Sequence, residues 1–315
     1  MRVTPILQVV NYRSIYFPLA CLLILAAAAA AQSSLKPIAE VPFEFHKNLI
    51  FVDTFINGKG PFTMMLDTGT DPSALDLSTA KELGITASST GEKASGGGTE
   101  STTVSDIDPV TVKVGRLNPA KIEISAIDLS AISRALEKPI NGILGHSFLK
   151  NKVVEIDYPA KIVRFYSRSP VTKDPDKAGH VIPFRFSSDS ILIDAFVNGQ
   201  KVTALFDTGL NGSFAVMPAA LSKLGLVEAF NAAEPVGSVG FNGRSSNRKG
   251  QIKTVSFAGL SVSPADVVFW GEGTGHDTTA YDLTIGNGFL KNYVVTIDYT
   301  NDLITITNRP LSSRI

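Results

Sequence analysis

Residues 61–76 read PFTMMLDTGTDPSALD, and residues 201–216 read KVTALFDTGLNGSFAV. In each stretch an apolar strand ends on a carboxylate, Asp67 or Asp207, followed by Thr-Gly. Burying an ionised carboxylate at the end of such a strand costs several kcal/mol unless it is paired or well hydrogen-bonded. Two such placements raise the question of whether each carboxylate answers the other.

The matches extend outward from these turns. FVDTFING (51–58) precedes the first and LIDAFVNG (192–199) the second, each closing on an Asn-Gly hairpin signal. A short helix signal follows each: LSTAKELGI, with Ser78 as the expected N-cap and Gly84 past the end, and MPAALSKLGL, with Pro218 in the first turn and Gly225 at the end. Farther on, ILGHSFLKNKVVEIDY (143–158) aligns without gaps to TIGNGFLKNYVVTIDY (284–299), with ten of sixteen positions identical. Asp67 lies 78 residues before Gly145, and Asp207 lies 79 before Gly286, so the chain repeats with a period of about 140 residues. Two copies of that length predict two homologous lobes related by a pseudo-two-fold axis. The expected division is a leader over 1–31, a first lobe over 32–168, a Pro- and charge-rich linker over 169–181 and a second lobe over 182–315. β-Branched strand signals dominate: Val110–Val114, Ile122–Ile127, Val153–Ile156, Ile162–Tyr166, Val202–Phe206, Val267–Trp270, Val294–Ile297 and Leu303–Ile306. Helices are few and short, so the class is all-β.

Composition narrows the function. The 315 residues are 44% hydrophobic and 18% charged with zero net charge, and no Lys/Arg stripe is present, so a nucleic-acid partner has no support. Arg2 and Arg13 precede an apolar run, Ile15 to Ala31, that ends in Ala29-Ala30-Ala31. That pattern reads as a secretory signal peptide. Retention as an anchor is the other reading, although a run of 17 residues is short for a membrane span. The expected location is periplasmic or extracellular, with no membrane span in the processed chain. The single cysteine, Cys21, falls in the leader, so the processed chain needs no disulfide and offers no thiol nucleophile.

A two-fold axis brings equivalent residues together, so Asp67 and Asp207 are expected to meet on it. Two carboxyl groups within about 3 Å share one proton rather than both ionising. One then acts as a base on a water while the other donates to a substrate carbonyl, which is general acid–base hydrolysis without metal or cofactor. Gly69 and Gly209 let the backbone turn and aim N–H groups at the carboxylates. Thr68 and Thr208 are placed to hydrogen-bond across the axis and hold the turns in register.

LDTGT (66–70), FDTGL (206–210) and the elements Ile143-Leu144-Gly145 and Thr284-Ile285-Gly286 make the chain resemble the aspartic proteases of the pepsin and retroviral type. It is most similar to exported bacterial retropepsin-like proteins, here with both lobes fused. The likeness covers about residues 40–310. It implies the acid-protease fold of two β-barrel-like lobes, aspartic endopeptidase activity on peptides or proteins, and no metal or cofactor. It also implies that Gly145 and Gly286 support the catalytic loops. Asp71 and Asn211, four residues past each aspartate, would bind substrate main chain. The flaps would be the Gly-rich stretches 91–103 and 236–247, with Gly97 and Gly240 near their tips. Neither stretch carries the tyrosine of a pepsin-type flap, which favours two retroviral-style flaps. Thr70 keeps the hydroxyl usual beside the aspartate, whereas Leu210 lacks it. Losing a hydrogen bond to the charged form raises proton affinity, so the expected optimum is mildly acidic.

Other residues fit structural roles. His46, His146, His180 and His276 have no metal-ligand spacing. Asp71, Asp76 and Asn211 could simply cap turns. Tyr158 and Tyr299 end strands in matching places, as packing residues would, and Trp270 suits packing or a pocket wall. Two fused lobes make a monomer the expected state. The alternative to an endopeptidase is a catalytically silent peptide- or protein-binding module on the same fold. A self-processing role is weakened by the short stretch, about ten residues, between Gln32 and the first strand near Val41–Phe45.

Overall fold

The computed structural model describes residues 35–170, 179–187 and 190–308. The leader read over 1–31, with Cys21, and residues 171–178 of the expected linker lie outside the described residues. The described residues from Pro37 onward form one compact unit, which holds every feature below.

Each Asn-Gly signal makes a hairpin. In the first, strand Leu49–Ile56 turns at Asn57-Gly58 and returns as Lys59–Leu66; in the second, Ser190–Val197 turns at Asn198-Gly199 and returns as Gln200–Phe206. Asn57, Gly58, Asn198 and Gly199 all have positive φ, between 48° and 83°, the conformation a tight hairpin turn requires. Around each hairpin a ten-stranded sheet forms. The first runs Ser88–Ala94, Thr102–Asp106, Ile124–Ile127, Ser73–Asp76, Gly142–Leu144, Lys59–Leu66, Leu49–Ile56, Val110–Val114, Ala120–Ile122, and the tenth strand, Glu44–His46, pairs with Leu49–Ile56 off this path. The second repeats that order, from Glu234–Gly240 and Gly243–Ile252 at one end to Val255–Phe257 and Leu260–Val262 at the other. The fold is therefore all-β with two similar sheet-rich lobes.

A third sheet of six strands belongs to both halves: Ala39–Pro42, Ile162–Tyr166, Val153–Asp157, Val294–Asp298, Leu303–Thr307, His180–Pro183. Its central pair joins the repeats, with Val153 opposite Asp298 and Glu155 opposite Thr296. The final residues of the stretch read as a linker, His180 and Val181, open the edge strand His180–Pro183.

Two further sequence expectations are corrected. The single strand expected over Ile122–Ile127 is two, Ala120–Ile122 and Ile124–Ile127, because the chain leaves one end of the first sheet and pairs again near the other. The cap of helix Leu77–Leu83 is Asp76, whose Oδ2 accepts from Ser78 N at 3.0 Å; Ser78 is inside the first turn. Gly84 ends this helix in the left-handed conformation, as read. Helices Ser130–Leu136 and Val227–Ala232 had no clear sequence signal. No helix among the described residues is long and apolar enough to cross a membrane.

Strand alternation sorts the first lobe's apolar side chains into two layers. Met64 and Leu66 face the large core, which continues through the shared sheet into the second lobe. Met65 faces the other way, with Leu49, Phe51, Ala74, Ile127, Leu129, Leu136, Ile140 and Ile143, in a separate cluster.

Candidate active site

The strand Gly142–Leu144 runs parallel to the end of Lys59–Leu66 and antiparallel to Ser73–Asp76, threading between them. Leu283–Ile285 does the same in the second lobe. Each central strand fixes its aspartate through the backbone: Asp67 N donates to Leu144 O and Asp207 N to Ile285 O, both at 3.0 Å. The glycines that follow allow the aspartate loop to close over the strand end. A Cβ on Gly145 would overlap Thr70 O, and one on Gly286 would lie 2.6 Å from Leu210 O and Gly212 O. His146 N and Asn287 N then donate to Thr70 O and Leu210 O at 2.8 and 2.9 Å, which ties each loop down.

The threonines bind the two loops to each other. Thr68 N donates to Thr208 Oγ1 and Thr208 N to Thr68 Oγ1, both at 3.0 Å. The hydroxyls donate onward across the axis, Thr68 Oγ1 to Phe206 O at 3.0 Å and Thr208 Oγ1 to Leu66 O at 3.1 Å. All four bonds are buried. The arrangement needs a hydroxyl and a free N–H at both positions, which the repeated Asp-Thr-Gly supplies.

The carboxyl groups therefore face each other. Asp67 and Asp207 are only 7% and 9% exposed and lie within hydrogen-bonding reach. Gly69 N donates to Asp67 Oδ1 and Gly209 N to Asp207 Oδ1, each at 2.7 Å. Gly69 and Gly209 also sit against the opposite carboxylate, where any Cβ would collide with it. The symmetry breaks at the next residue. Thr70 Oγ1 donates to Asp67 Oδ2 at 2.8 Å, while Leu210 offers Asp207 no hydroxyl. Burial, then the charge of Asp67 and the hydrogen bond to it, push the Asp207 carboxyl well above the usual range, against the lowering effect of the Gly209 and Leu210 N–H groups.

Support beneath the loops is also asymmetric, and the sequence did not reveal it. Asn287 is fully buried under the second loop; its Nδ2 donates to Thr208 O at 2.6 Å and its Oδ1 accepts from Tyr158 Oη at 2.5 Å. Tyr158 comes from the first repeat but reaches the second loop because the shared sheet crosses the halves. Burial and then the Asp207 charge push its phenol up. In the first lobe His146 replaces Asn287 and turns to Asp71, Nδ1 to Oδ2 at 3.3 Å, with its ring stacked on Phe186 at 3.9 Å. Tyr299, the counterpart of Tyr158, keeps a buried hydroxyl with no hydrogen-bond partner among the described residues. The signal available in sequence was the His146/Asn287 difference inside an otherwise matching block.

The remaining expected site residues divide. Asp71 is half-buried and engaged by His146. Asn211 is exposed, and its carbonyl accepts from Asn48 Nδ2 at 3.0 Å. The two Gly-rich stretches form hairpins, Ser88–Ala94 with Thr102–Asp106 and Glu234–Gly240 with Gly243–Ile252. Their tips meet: a Cβ on Gly240 would lie 2.8 Å from Gly97 N and Gly98 N.

Paired aspartate loops cross-linked by threonines, each on its own sheet-rich lobe, define a two-lobe, retropepsin-like acid-protease fold. A family model described as "Aspartyl protease" matches residues 52–148 and 193–289, so each repeat matches it separately. The chain belongs to the aspartyl protease family. Among solved structures it is similar to a retropepsin-like aspartic protease from Rickettsia conorii, at 20% identity and a TM-score of 0.32, covering 41% of this chain and 92% of that one. No curated protein matches it.

Proposed function

We propose that this protein is an aspartic endopeptidase whose Asp67 and Asp207 activate one water between them. The observation that carries the reading is the buried, cross-braced carboxyl pair in which Asp67 holds the Thr70 hydroxyl and Asp207 has the raised proton affinity. Ionised Asp67 takes a proton from water as its oxygen attacks the peptide carbonyl carbon. Asp207 gives its proton to the carbonyl oxygen, forming a neutral tetrahedral diol. Collapse returns that proton to Asp207, and the proton held by Asp67 passes to the departing nitrogen as the C–N bond breaks. Both halves of the site come from one chain through the shared sheet, which supports a monomer as the working unit. The leader pattern over 1–31 supports export, which N-terminal sequencing of secreted protein checks.

The test is a peptide-library digest across pH 3–7 with Asp67→Asn and Asp207→Asn as controls. Cleavage should be pepstatin-sensitive and fall about 10²–10⁴-fold or more in each variant, with the melting transition retained. Activity persisting in either purified variant overturns the mechanism. Peptide binding without turnover by the unmodified protein favours the binding-module alternative.

A further inference from the structure

The two lobes carry different side chains on the same face of their sheets. In the first, Met65, Ala74, Ile127, Ile140 and Ile143 belong to the separate apolar cluster. Register assigns their counterparts in the second. Thr284 pairs with Leu205 and Ala215 as Ile143 pairs with Met65 and Ala74. Val268 pairs with Ala215, and Trp270 follows it by two residues, with Trp270 N donating to Val216 O at 3.0 Å. Directly paired residues point to one side of a sheet, as do residues two apart along a strand. Leu205, Thr284, Ala215, Val268 and Trp270 therefore share one face. Tyr281 precedes Thr284 by three residues, as Ile140 precedes Ile143.

The second lobe's face is polar where its counterpart is apolar, and two of its polar atoms are unpaired. Trp270 Nε1 and Thr284 Oγ1 are buried with no hydrogen-bond partner among the described residues; Trp270 is 7% exposed and Thr284 1%. A buried polar atom without a partner costs free energy that a ligand group of matching chemistry returns. His276 stacks on Trp270 at 4.4 Å, and its Nδ1 lies 3.1 Å from Tyr281 Oη, which joins Tyr281 to the same cluster. The cluster adjoins the aspartate pair. Asp207 N donates to the carbonyl of Ile285, the residue after Thr284, at 3.0 Å. Burial and then the Asp207 charge push the Tyr281 phenol up. Charge of either sign is disfavoured here: burial holds the His276 imidazole down at about 4 and raises the Asp207 carboxyl.

We propose that this face of the second lobe is a subsite for a carboxamide side chain: a substrate Gln or Asn whose carbonyl accepts from Trp270 Nε1 and whose NH2 donates to Thr284 Oγ1. The proposal rests on the peptidase reading and deepens it, by assigning the chemistry of one residue beside the cleaved bond. An indole N–H only donates, so it needs an acceptor; a hydroxyl takes either role, so a donor completes the set. The two atoms belong to strands two places apart, with Ala215 on the strand between them. A carboxamide offers its acceptor and its donor on separate atoms, as that spacing requires. A carboxylate or an ammonium would bring charge to a place that disfavours it. An aliphatic side chain would leave both atoms unpaired, which is how a hydrogen-bonding site rejects an analogue that lacks the group.

The test uses otherwise identical peptides that carry Gln or Leu in turn on each side of the cleaved bond. On one side, the unmodified protein should cleave the Gln peptide with kcat/KM about tenfold above the Leu peptide. Thr284→Val keeps the shape and removes only the hydroxyl, and Trp270→Phe removes the indole N–H; each should lower that ratio about fivefold. Equal cleavage of Gln and Leu peptides on both sides overturns the subsite, as does a Gln preference unchanged in either variant. If one variant does not fold, the other decides. The chain's one tryptophan gives a reading apart from turnover. In Asp67→Asn, Gln peptides should bind about tenfold tighter than Leu peptides and move Trp270 emission to longer wavelength, as its N–H gains an acceptor. Binding with that preference, but no cleavage by the unmodified protein, ends the peptidase reading and keeps the subsite. Binding without the preference, or no binding at all, ends the subsite.

Discussion

At the scale of single residues, the difference between Thr70 and Leu210 governs how the aspartate pair titrates. In the proposed mechanism the pair carries one proton, on Asp207, whose carboxyl is pushed up by burial and by Asp67 and has no hydroxyl of its own beside it. Leu210→Thr would supply a hydrogen bond to the ionised form, and such bonds to charged groups are worth about 1.5–3 kcal/mol. The second proton is then lost more readily. The alkaline limb of the kcat/KM profile should move to lower pH, and the rate at pH 7 should fall about tenfold or more. The same raised proton affinity has a stability consequence. A carboxyl that binds its proton more tightly when folded stabilises the fold below its unfolded pKa, about 3.9, and that stability is lost as pH rises through the folded value. Asp207→Asn should therefore raise the melting temperature at pH 7 and leave it near the unmodified value at pH 3. His276 works in the opposite direction. Burial pushes its imidazole down from 6.5 to about 4, with the ring stacked on Trp270 at 4.4 Å and Nδ1 3.1 Å from Tyr281 Oη. Its contribution is present above about pH 6.5 and is lost, by roughly 3 kcal/mol, as pH falls towards 4. Thermal unfolding of His276→Gln across pH 4–7 should show a flatter slope than the unmodified chain.

At the scale of elements, each aspartate loop is held by the strand threaded beneath it and by the first residue after that strand's glycine. Asn287 serves the second loop with both ends of its amide, to Thr208 O and from Tyr158 Oη. Asn287→Leu would leave a buried carbonyl and a buried hydroxyl without partners, at about 1–3 kcal/mol each. Urea unfolding should show a loss of roughly 2–4 kcal/mol, and Tyr158→Phe a smaller one, near 1 kcal/mol. Whatever depends on the repeat was legible in the sequence. Thr68 and Thr208 occupy matching positions, so their cross-bonding follows once the axis is accepted, and the hairpins follow from Asn57-Gly58 and Asn198-Gly199. What depends on contacts across the repeat was not. Tyr158 reads as a strand-end packing residue until the pairing of Val153–Asp157 with Val294–Asp298 carries it under the other lobe. Phe241 reads only as part of a Gly-rich flap until its ring is seen against the first lobe's separate apolar cluster. The cap of Leu77–Leu83 was misread for a local reason: Ser78 is an ordinary cap type, but Asp76 satisfies both Ser78 N and, with its other oxygen, Leu129 N at 2.9 Å.

At the scale of the molecule, the shared sheet joins the two repeats, and its central register sets unlike residues of the two copies opposite each other. The pairing places Glu155 opposite Thr296, where Arg164 also reaches Glu155 at 2.8 Å. If the first repeat paired with a second copy of itself in this register, Glu155 would face Glu155 on the axis, because Thr296 is its counterpart. Like charges directly opposite in a sheet destabilise it by about 0.2–1 kcal/mol, whereas a Thr–Thr pair is favourable. The second repeat, paired with itself, would place Thr296 against Thr296. The two repeats, produced separately as 35–170 and 179–308, should therefore differ in sedimentation equilibrium. The second should self-associate more tightly, by about fivefold, and a mixture should favour the mixed pair. Glu155→Thr should bring the first repeat's self-association up to that of the second. If both repeats instead remain folded and monomeric, with Val153–Asp157 and Val294–Asp298 as bare edges, then the shared sheet is not what holds the halves together. The cross-axis threonine bonds and the meeting hairpin tips would then have to carry that role.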